Sequence, residues 1–391
     1  MKTSPRPDTL ITHAGRHPET QHGIVNPAVY HASTVLFPNL GALDEASHNP
    51  DIVRYGRVGT PTSRAFEDAV AALEGGFRAV TMPSGLAAIA TTLMALVRAG
   101  DHILVSDSVY GPTRTLCEQV LKKFGVVAEY YDPRIGDAIA RLFRPETRLV
   151  FLESPGSYTF EIQDVPAIAA VAKARGALVV MDNTWATPLF FRPFDHGVDV
   201  SVHAATKYLV GHSDAMMGIA VANEASYPRL RQYALMTGTC AGPDDLYLAQ
   251  RGLRTLGVRL RQHQATGIAL AQWLRARPEI VRVLHPALPD DPGHALWQRD
   301  FRGASGLFGA ILAPCTDRQL AAFFADLALF GIGYSWGGYE SLMLPAHLSG
   351  MRTVTTLPQD GILIRLHAGL EDPQDLIEDL ERAFARLAAA R

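Results

Sequence analysis

The chain has 391 residues, of which 36 are basic and 39 acidic, giving a net charge of -3 and an isoelectric point near 6.5. That balance offers no general attraction to nucleic acid or to an anionic membrane. At about 150 residues per unit the length suggests two to three folding units, and 48% hydrophobic with 19% charged residues suits a globular enzyme.

Residues 1 to about 60 carry prolines, glycines and histidines without a helical or alternating period, so they read as an irregular arm. A structureless run of this length is uncommon inside a compact domain, which points to packing against something else, another subunit being one candidate. Within it, Tyr55 and Arg57 flank Gly56. Two apart in an extended segment they share a face, an arrangement suited to an anion.

From Ser63 helices and strands are predicted in alternation. Helical stretches near 63–74, 84–98, 112–123, 135–142 and 165–175 separate short apolar runs at 79–82, 102–105, 126–130, 148–152 and 177–181. Such alternation predicts an α/β fold with a mainly parallel sheet covered on both faces. Ligands of these sheets bind beyond the carboxyl ends of the strands, so the residues standing there are the candidates for chemistry.

Four such positions carry chemistry. Ser84 and Gly85 follow the run 79–82 and open a helix, where free N–H groups and the helix dipole favour a phosphate. Tyr110 follows the run 102–105, where its ring can stack on a flat ligand and its hydroxyl can move a proton. Asp182 ends the apolar run Ala177 to Met181. The stretch Asp199 to Ser213 begins as a buried strand and then sets Lys207 between Thr206 and Tyr208; lysine is seldom buried without a purpose. An amine for a Schiff base, an acid for a pyridine nitrogen and a phosphate cradle are together what pyridoxal phosphate (PLP) requires.

Beyond Lys207 the run 216–221 predicts another strand. Leu246, Ala249, Leu253, Leu256 and Leu260 predict one continuous apolar stripe on a long helix beginning at Pro243. Strands at 307–312 and 362–366 with helices at 316–328 and 373–388 predict a smaller α+β unit. Arg365 interrupts the second of these strands, and a buried guanidinium needs an anion, either an internal acid or a substrate carboxylate.

Other chemistries lack their signatures. Cys117, Cys240 and Cys315 have neither CxxC spacing nor an even count. No HxH or HExxH occurs among fourteen histidines, so no metal is expected. Lacking an apolar leader or a run of about 18 apolar residues, the chain is expected in the cytoplasm, away from membranes.

Asp199 to Ser213 resembles the cofactor-attachment signature of the Cys/Met-metabolism PLP-dependent enzymes. The Tyr-Gly-Arg arm, the Pro-Ser-Gly turn, Tyr110, Asp182-Asn183-Thr184 and Arg365 match in the same order, so the resemblance spans nearly the whole chain. Within the family, Glu153 to Ser157, Ala204 to Lys207 and Tyr334 to Leu342 resemble the bacterial cystathionine β-lyases. The γ-acting relatives typically carry a glutamate where this chain has Tyr334, an asparagine at Ser157 and a serine at Ala204.

The resemblance implies the PLP-dependent transferase-like fold of type I: an arm over 1–60, a cofactor domain over 61–253 and a C-terminal domain over 254–391. It implies that Lys207 holds the cofactor covalently and that Asp182 pairs with its ring nitrogen. Ser84, Gly85, Leu86 and Thr206 would hold the phosphate, joined by Tyr55 and Arg57 from a neighbouring subunit, and Tyr110 would stack on the ring. Tyr334, Ser335, Trp336 and Arg365 would hold the substrate. Lys207 would act as base at Cα, its amine made less basic by desolvation and by Arg57, and either Lys207 or Tyr110 would protonate the departing sulfur.

The implied activity is β-elimination of L-cystathionine to homocysteine, pyruvate and ammonia, in methionine biosynthesis, by a homotetramer of active dimers. The alternatives are a cystathionine γ-lyase, a broader cysteine-S-conjugate β-lyase or cysteine desulfhydrase, and a PLP-holding binding protein without turnover.

Overall fold

Seven of the short apolar runs join one sheet. They are β1 (Arg78–Met82), β2 (His102–Ser106), β3 (Val127–Tyr131), β4 (Thr147–Glu153), β5 (Leu178–Asp182), β6 (Val200–His203) and β7 (Gly218–Ala222). The structure, a computed structural model, describes residues 5–346, 348, 350–356 and 361–390. The strand order is β1-β7-β6-β5-β4-β2-β3, and β7 runs antiparallel to both of its neighbours. The strands β3, β2, β4, β5 and β6 are mutually parallel, and two reversals through β7 bring β1 back to their direction. The carboxyl ends of β1, β2, β4, β5 and β6 therefore share one edge.

Alternation along the strands divides the sheet between two cores. Leu104, Val150, Leu152, Val179 and Met181 pack on one face, against helices and the C-terminal part of the chain. Ile103, Val105, Leu149, Phe151 and Val180 pack on the other, beneath the helix Gly85–Leu96. Coverage of both faces is why these strands read as nearly continuous apolar runs.

A second sheet has the order β10-β11-β9-β8, all antiparallel, built from β8 (Ile280–Leu284), β9 (Leu307–Leu312), β10 (Leu342–Pro345) and β11 (Ile362–His367). The helices Leu256–Arg275 and Pro373–Ala389 bury Leu270, Leu274, Leu380 and Phe384 against it. The short β8 and β10 have no counterpart in the sequence reading. Two adjacent residues of β8 are exposed, and β10 ends in a proline, so neither shows a clean strand pattern.

Three expectations need correction. The arm is not structureless: it holds the helices Pro7–His13 and Leu40–His48, the second capped by Asn39 on the Ala42 N–H. Leu40 and Leu43 are exposed, so burial within the chain gave no periodic signal. The stretch 112–123 is not one helix but a short helix Gly111–Thr115, a π-turn Leu116–Val120 and a 3-10 turn Leu121–Phe124, and 135–142 is likewise a 3-10 turn, Gly136–Leu142. The long apolar stripe continues across a break: one helix ends at Leu253 and the next starts at Leu256, with Thr255 out of helical geometry. Leu246, Ala249, Leu253, Leu256 and Leu260 still enter one core, so the periodicity was right about the face and wrong about continuity.

Candidate active site

A cavity of about 380 Å³ opens at the shared carboxyl edge and is lined by Ser84, Gly85, Leu86, Tyr110, Asp182, Thr206, Lys207, Tyr334, Ser335, Trp336 and Arg365. Every site residue expected from the sequence outside the arm stands there.

At one end the turn after β1 leads into the helix Gly85–Leu96, where Ser84 caps the Ala87 N–H at 3.1 Å. The N–H groups of Gly85 and Leu86 have no helical acceptor, as is general for a first turn. A side chain at Gly85 would bring its Cβ within 2.4 Å of Ala204 Cβ, so only glycine lets this turn lie against the Ala204–Lys207 loop. Thr206 braces that loop: its hydroxyl donates to the Met217 carbonyl at 3.1 Å and accepts the Met217 N–H at 2.9 Å.

At the other end, Asp182 is buried at the tip of β5. Its Oδ1 accepts both the Thr184 N–H at 2.9 Å and the Thr184 hydroxyl at 2.5 Å. Among the described residues Oδ2 has no hydrogen-bond partner. Burial raises the carboxyl above its ordinary range, while the Thr184 bonds and the charges of His203 and Lys207 pull it down. Behind it a fully buried Glu74 is bonded to the His203 ring, and Asn183 Nδ2 donates to the same Glu74 oxygen at 3.3 Å.

Between the two ends lies the Lys207 amine. It donates to Ser335 Oγ at 2.6 Å and lies 5.3 Å from the centre of the Trp336 ring. Burial, with the Arg365 charge, lowers it to about 8, and Asp182 opposes the shift only in part. The cation responsible within this chain is Arg365 rather than Arg57. Ser335 reaches both groups from a left-handed backbone (φ 78°), and its carbonyl accepts from Arg365 at 2.9 Å.

Arg365 is 8% exposed and has no carboxylate partner among the described residues; its side chain lies 5.6 Å from the Tyr158 ring. Burial lowers its affinity for a proton, and an anion supplied by a ligand would offset that cost. The internal-acid reading of Arg365 thus finds no support.

Tyr55 and Arg57 are not in this cavity. They line a separate one of about 490 Å³ with Tyr30, Ser33, Arg231 and Cys240. Gly56–Val58 is a 3-10 turn rather than an extended segment, yet it leaves the Arg57 guanidinium 5.7 Å from the Tyr55 ring and bonded to the Leu235 carbonyl at 3.0 Å.

Sequence reading gave no role to Glu153, Tyr158 or Trp185, which also line the Lys207 cavity. Glu153 was legible, because it ends β4 as Asp182 ends β5. Tyr158 lies in a loop at φ 65°, and nothing in the sequence foretold its place beside Arg365.

The family described as Cys/Met metabolism PLP-dependent enzyme matches residues 8–385. The chain belongs to this family. It is 44% identical over 388 residues to the cystathionine beta-lyase MetC of Escherichia coli, covering 97% of this chain and 98% of that one. It is 41% identical over 393 residues to the L-alanine/L-glutamate racemase of Wolbachia pipientis, covering 97% of both. In three dimensions it resembles the metB protein of Corynebacterium glutamicum, with a TM-score of 0.90 at 30% identity over 98% of this chain and 99% of the other. The architecture is the PLP-dependent fold of type I, with its mostly parallel large sheet and separate antiparallel sheet.

The cavity fits PLP as this family requires. The unpaired Asp182 Oδ2 can accept a pyridinium N–H, the free N–H groups at Gly85 and Leu86 with the close-packed glycine suit a phosphate, and Lys207 supplies a buried amine between them. Among the described residues there is no group of His, Cys, Asp or Glu able to hold a metal ion, and no helix is long and apolar enough to cross a membrane.

Proposed function

We propose that this chain is a carbon–sulfur lyase acting on L-cystathionine, cleaving it by β-elimination to homocysteine, pyruvate and ammonia in methionine biosynthesis. The observation that carries the reading is the meeting, in one cavity, of a buried amine, a buried acid and a guanidinium with no acid partner among the described residues.

Bound PLP supplies an electron sink for the charge left at Cα when its proton departs. Lys207 would hold the cofactor, and its free amine would take the Cα proton. A positioned base contributes about 10²–10⁴-fold, and an amine lowered to about 8 is close to the working range. Ser335 keeps that amine in place, and Asp182 would hold the ring nitrogen protonated. Ser84, Gly85 and Leu86 would take the phosphate, with Thr206 joining by turning its hydroxyl from the Met217 carbonyl. Arg365 would grip the α-carboxylate bidentately, since among the described residues its only bonds are to the Gly333 and Ser335 carbonyls through one nitrogen. Tyr110 would stack on the ring, and either it or Lys207 would protonate the leaving sulfur. Tyr334, 87% exposed at the cavity mouth, and Trp336 would meet the distal part of the substrate.

The lining favours β- over γ-elimination. Among the described residues its only acids are Glu153 and Asp182, both at strand tips, and the position where γ-acting relatives carry glutamate is Tyr334. The arm supports a shared site: Tyr55 and Arg57 present a ring and a cation outside their own chain's cavity, available to the phosphate of a neighbouring subunit in an active dimer, two of which would form the homotetramer. We further take the domain division to be 1–60, 61–253 and 254–391, the last boundary falling at the helix break, and the compartment to be the cytoplasm.

A second reading rests on the racemase relative, because abstraction of a Cα proton by a lysine also begins racemisation. Two incubations separate the readings. Purified protein with PLP and L-cystathionine yields pyruvate plus homocysteine for the proposed lyase and 2-oxobutyrate plus cysteine for a γ-lyase; a parallel incubation with L-alanine yields D-alanine only for a racemase.

A further inference from the structure

The mechanism above leaves one acid of the cavity without a task. Glu153 ends β4, directly in register with Asp182 at the end of β5. Paired residues of parallel strands project from the same face, so two carboxyls stand side by side at the floor of the cavity. Their surroundings differ. Asp182 receives two hydrogen bonds from Thr184, whereas Glu153 Oε2 accepts a single one, from the Tyr110 backbone N–H at 2.7 Å. That N–H opens the short helix Gly111–Thr115, and its residue carries the ring expected above the cofactor.

We propose that Glu153 is the positioning residue for Tyr110, fixing through Oε2 the backbone from which the phenol ring reaches over the cavity. The inference rests on the PLP reading and adds to it a group for which no task has been argued. The acid is itself held firmly: its carbonyl accepts from Gln163 Nε2 at 2.7 Å, and Gln163 is bonded in turn to the Tyr131 hydroxyl at 2.9 Å. The Tyr110 side of the contact is supported by its helical turn, through the Thr113 and Arg114 N–H groups on the Tyr110 carbonyl. Without Glu153 the Tyr110 N–H would lose its acceptor and the ring its reference point. Burial and the neighbouring Asp182 charge both favour the protonated form of Glu153, so a neutral side chain of the same shape and with the same acceptor can replace it.

The test compares E153A, E153Q and E153D in the cofactor-loaded protein, alone and combined with Y110F. A misplacement of about 1 Å costs on the order of 10²-fold, so E153A is expected to lower kcat by about that factor while retaining bound PLP, with an altered circular-dichroism amplitude in the cofactor's visible band. E153Q is expected to recover most of both readouts. E153D, a methylene short of the N–H, is expected to behave like E153A and serves if E153A does not fold. In the Y110F background E153A is expected to add less than about twofold, because coupled residues are not additive. Unchanged kcat and dichroism in both E153A and E153D would overturn the proposal, as would equal losses in E153Q and E153A, or full additivity with Y110F. The visible band of the parent protein tests the PLP reading separately, since it is present or absent whatever Glu153 does.

Discussion

Lys207 Nζ donates to Ser335 Oγ at 2.6 Å, while the carbonyl of the same serine accepts from Arg365 at 2.9 Å. One residue thus holds both the amine that would take the Cα proton and the guanidinium that would hold the α-carboxylate. Because burial and Arg365 lower Lys207 to about 8, the unprotonated amine accumulates as pH rises through that value. The acid limb of kcat is expected to rise through about pH 8. Substituting Arg365 by glutamine removes a like charge, raises the amine and should move that limb to higher pH. A pH profile of kcat for both proteins checks the sign.

Arg365→Ala should act chiefly on binding. A hydrogen bond to a charged group contributes about 1.5–3 kcal/mol, so KM for L-cystathionine should rise about 10- to 100-fold. Arg365→Lys, with one point charge in place of a planar fork, should recover only part of the loss. Steady-state kinetics on the two variants decides it.

Asp107, just after β2, ties the segment Thr353–Thr355 to the end of that strand. Its oxygens accept the backbone N–H groups of Thr353, Val354 and Thr355 and pair with the Arg114 guanidinium at 2.6 Å. Burial alone would raise this carboxyl, yet the three backbone N–H groups and the Thr355 hydroxyl outweigh it and bring it down to about 2. A carboxyl lowered on folding stabilises the fold above its unfolded value and loses that contribution as pH falls through its folded value. Asp107→Ala should therefore cost on the order of 1.5–3 kcal/mol near neutral pH, with the difference from the parent shrinking between about pH 4 and pH 2. Urea unfolding across that range measures it.

Tyr55 and Arg57 lie outside their own chain's Lys207 cavity. A protein carrying both Tyr55→Phe and Arg57→Ala, inactive by itself, should regain activity when its subunits are exchanged with an inactive Lys207→Ala protein, because a hybrid dimer contains one complete site. No recovery after verified exchange would remove the shared-site reading.

What the sequence made legible follows from how each residue is held. Asp182 and Lys207 could be read because a buried strand that ends in an acid or an amine breaks an apolar pattern, and the fold then brings such ends to one edge. Glu153 shows the same break, yet no step of the chemistry asks for a second carboxyl there. Ser335 could be placed near the substrate but not against Lys207, because that contact depends on a left-handed backbone that no local pattern encodes. The arm helix Leu40–His48 carries no readable period for a related reason: its leucines are exposed, so no buried face marks it. The helix break at Arg254 and Thr255 was invisible because the apolar stripe crosses it unbroken.

The five lysines of this chain are Lys2, Lys122, Lys123, Lys173 and Lys207, and the middle three are exposed. Reducing the PLP-loaded protein with borohydride and locating the added mass by peptide mass spectrometry therefore tests the central claim most directly. One equivalent of label on the peptide containing Lys207, lost in Lys207→Ala, is the predicted result. Label on an exposed lysine instead, or a stable stoichiometric adduct that survives Lys207→Ala, would contradict the account.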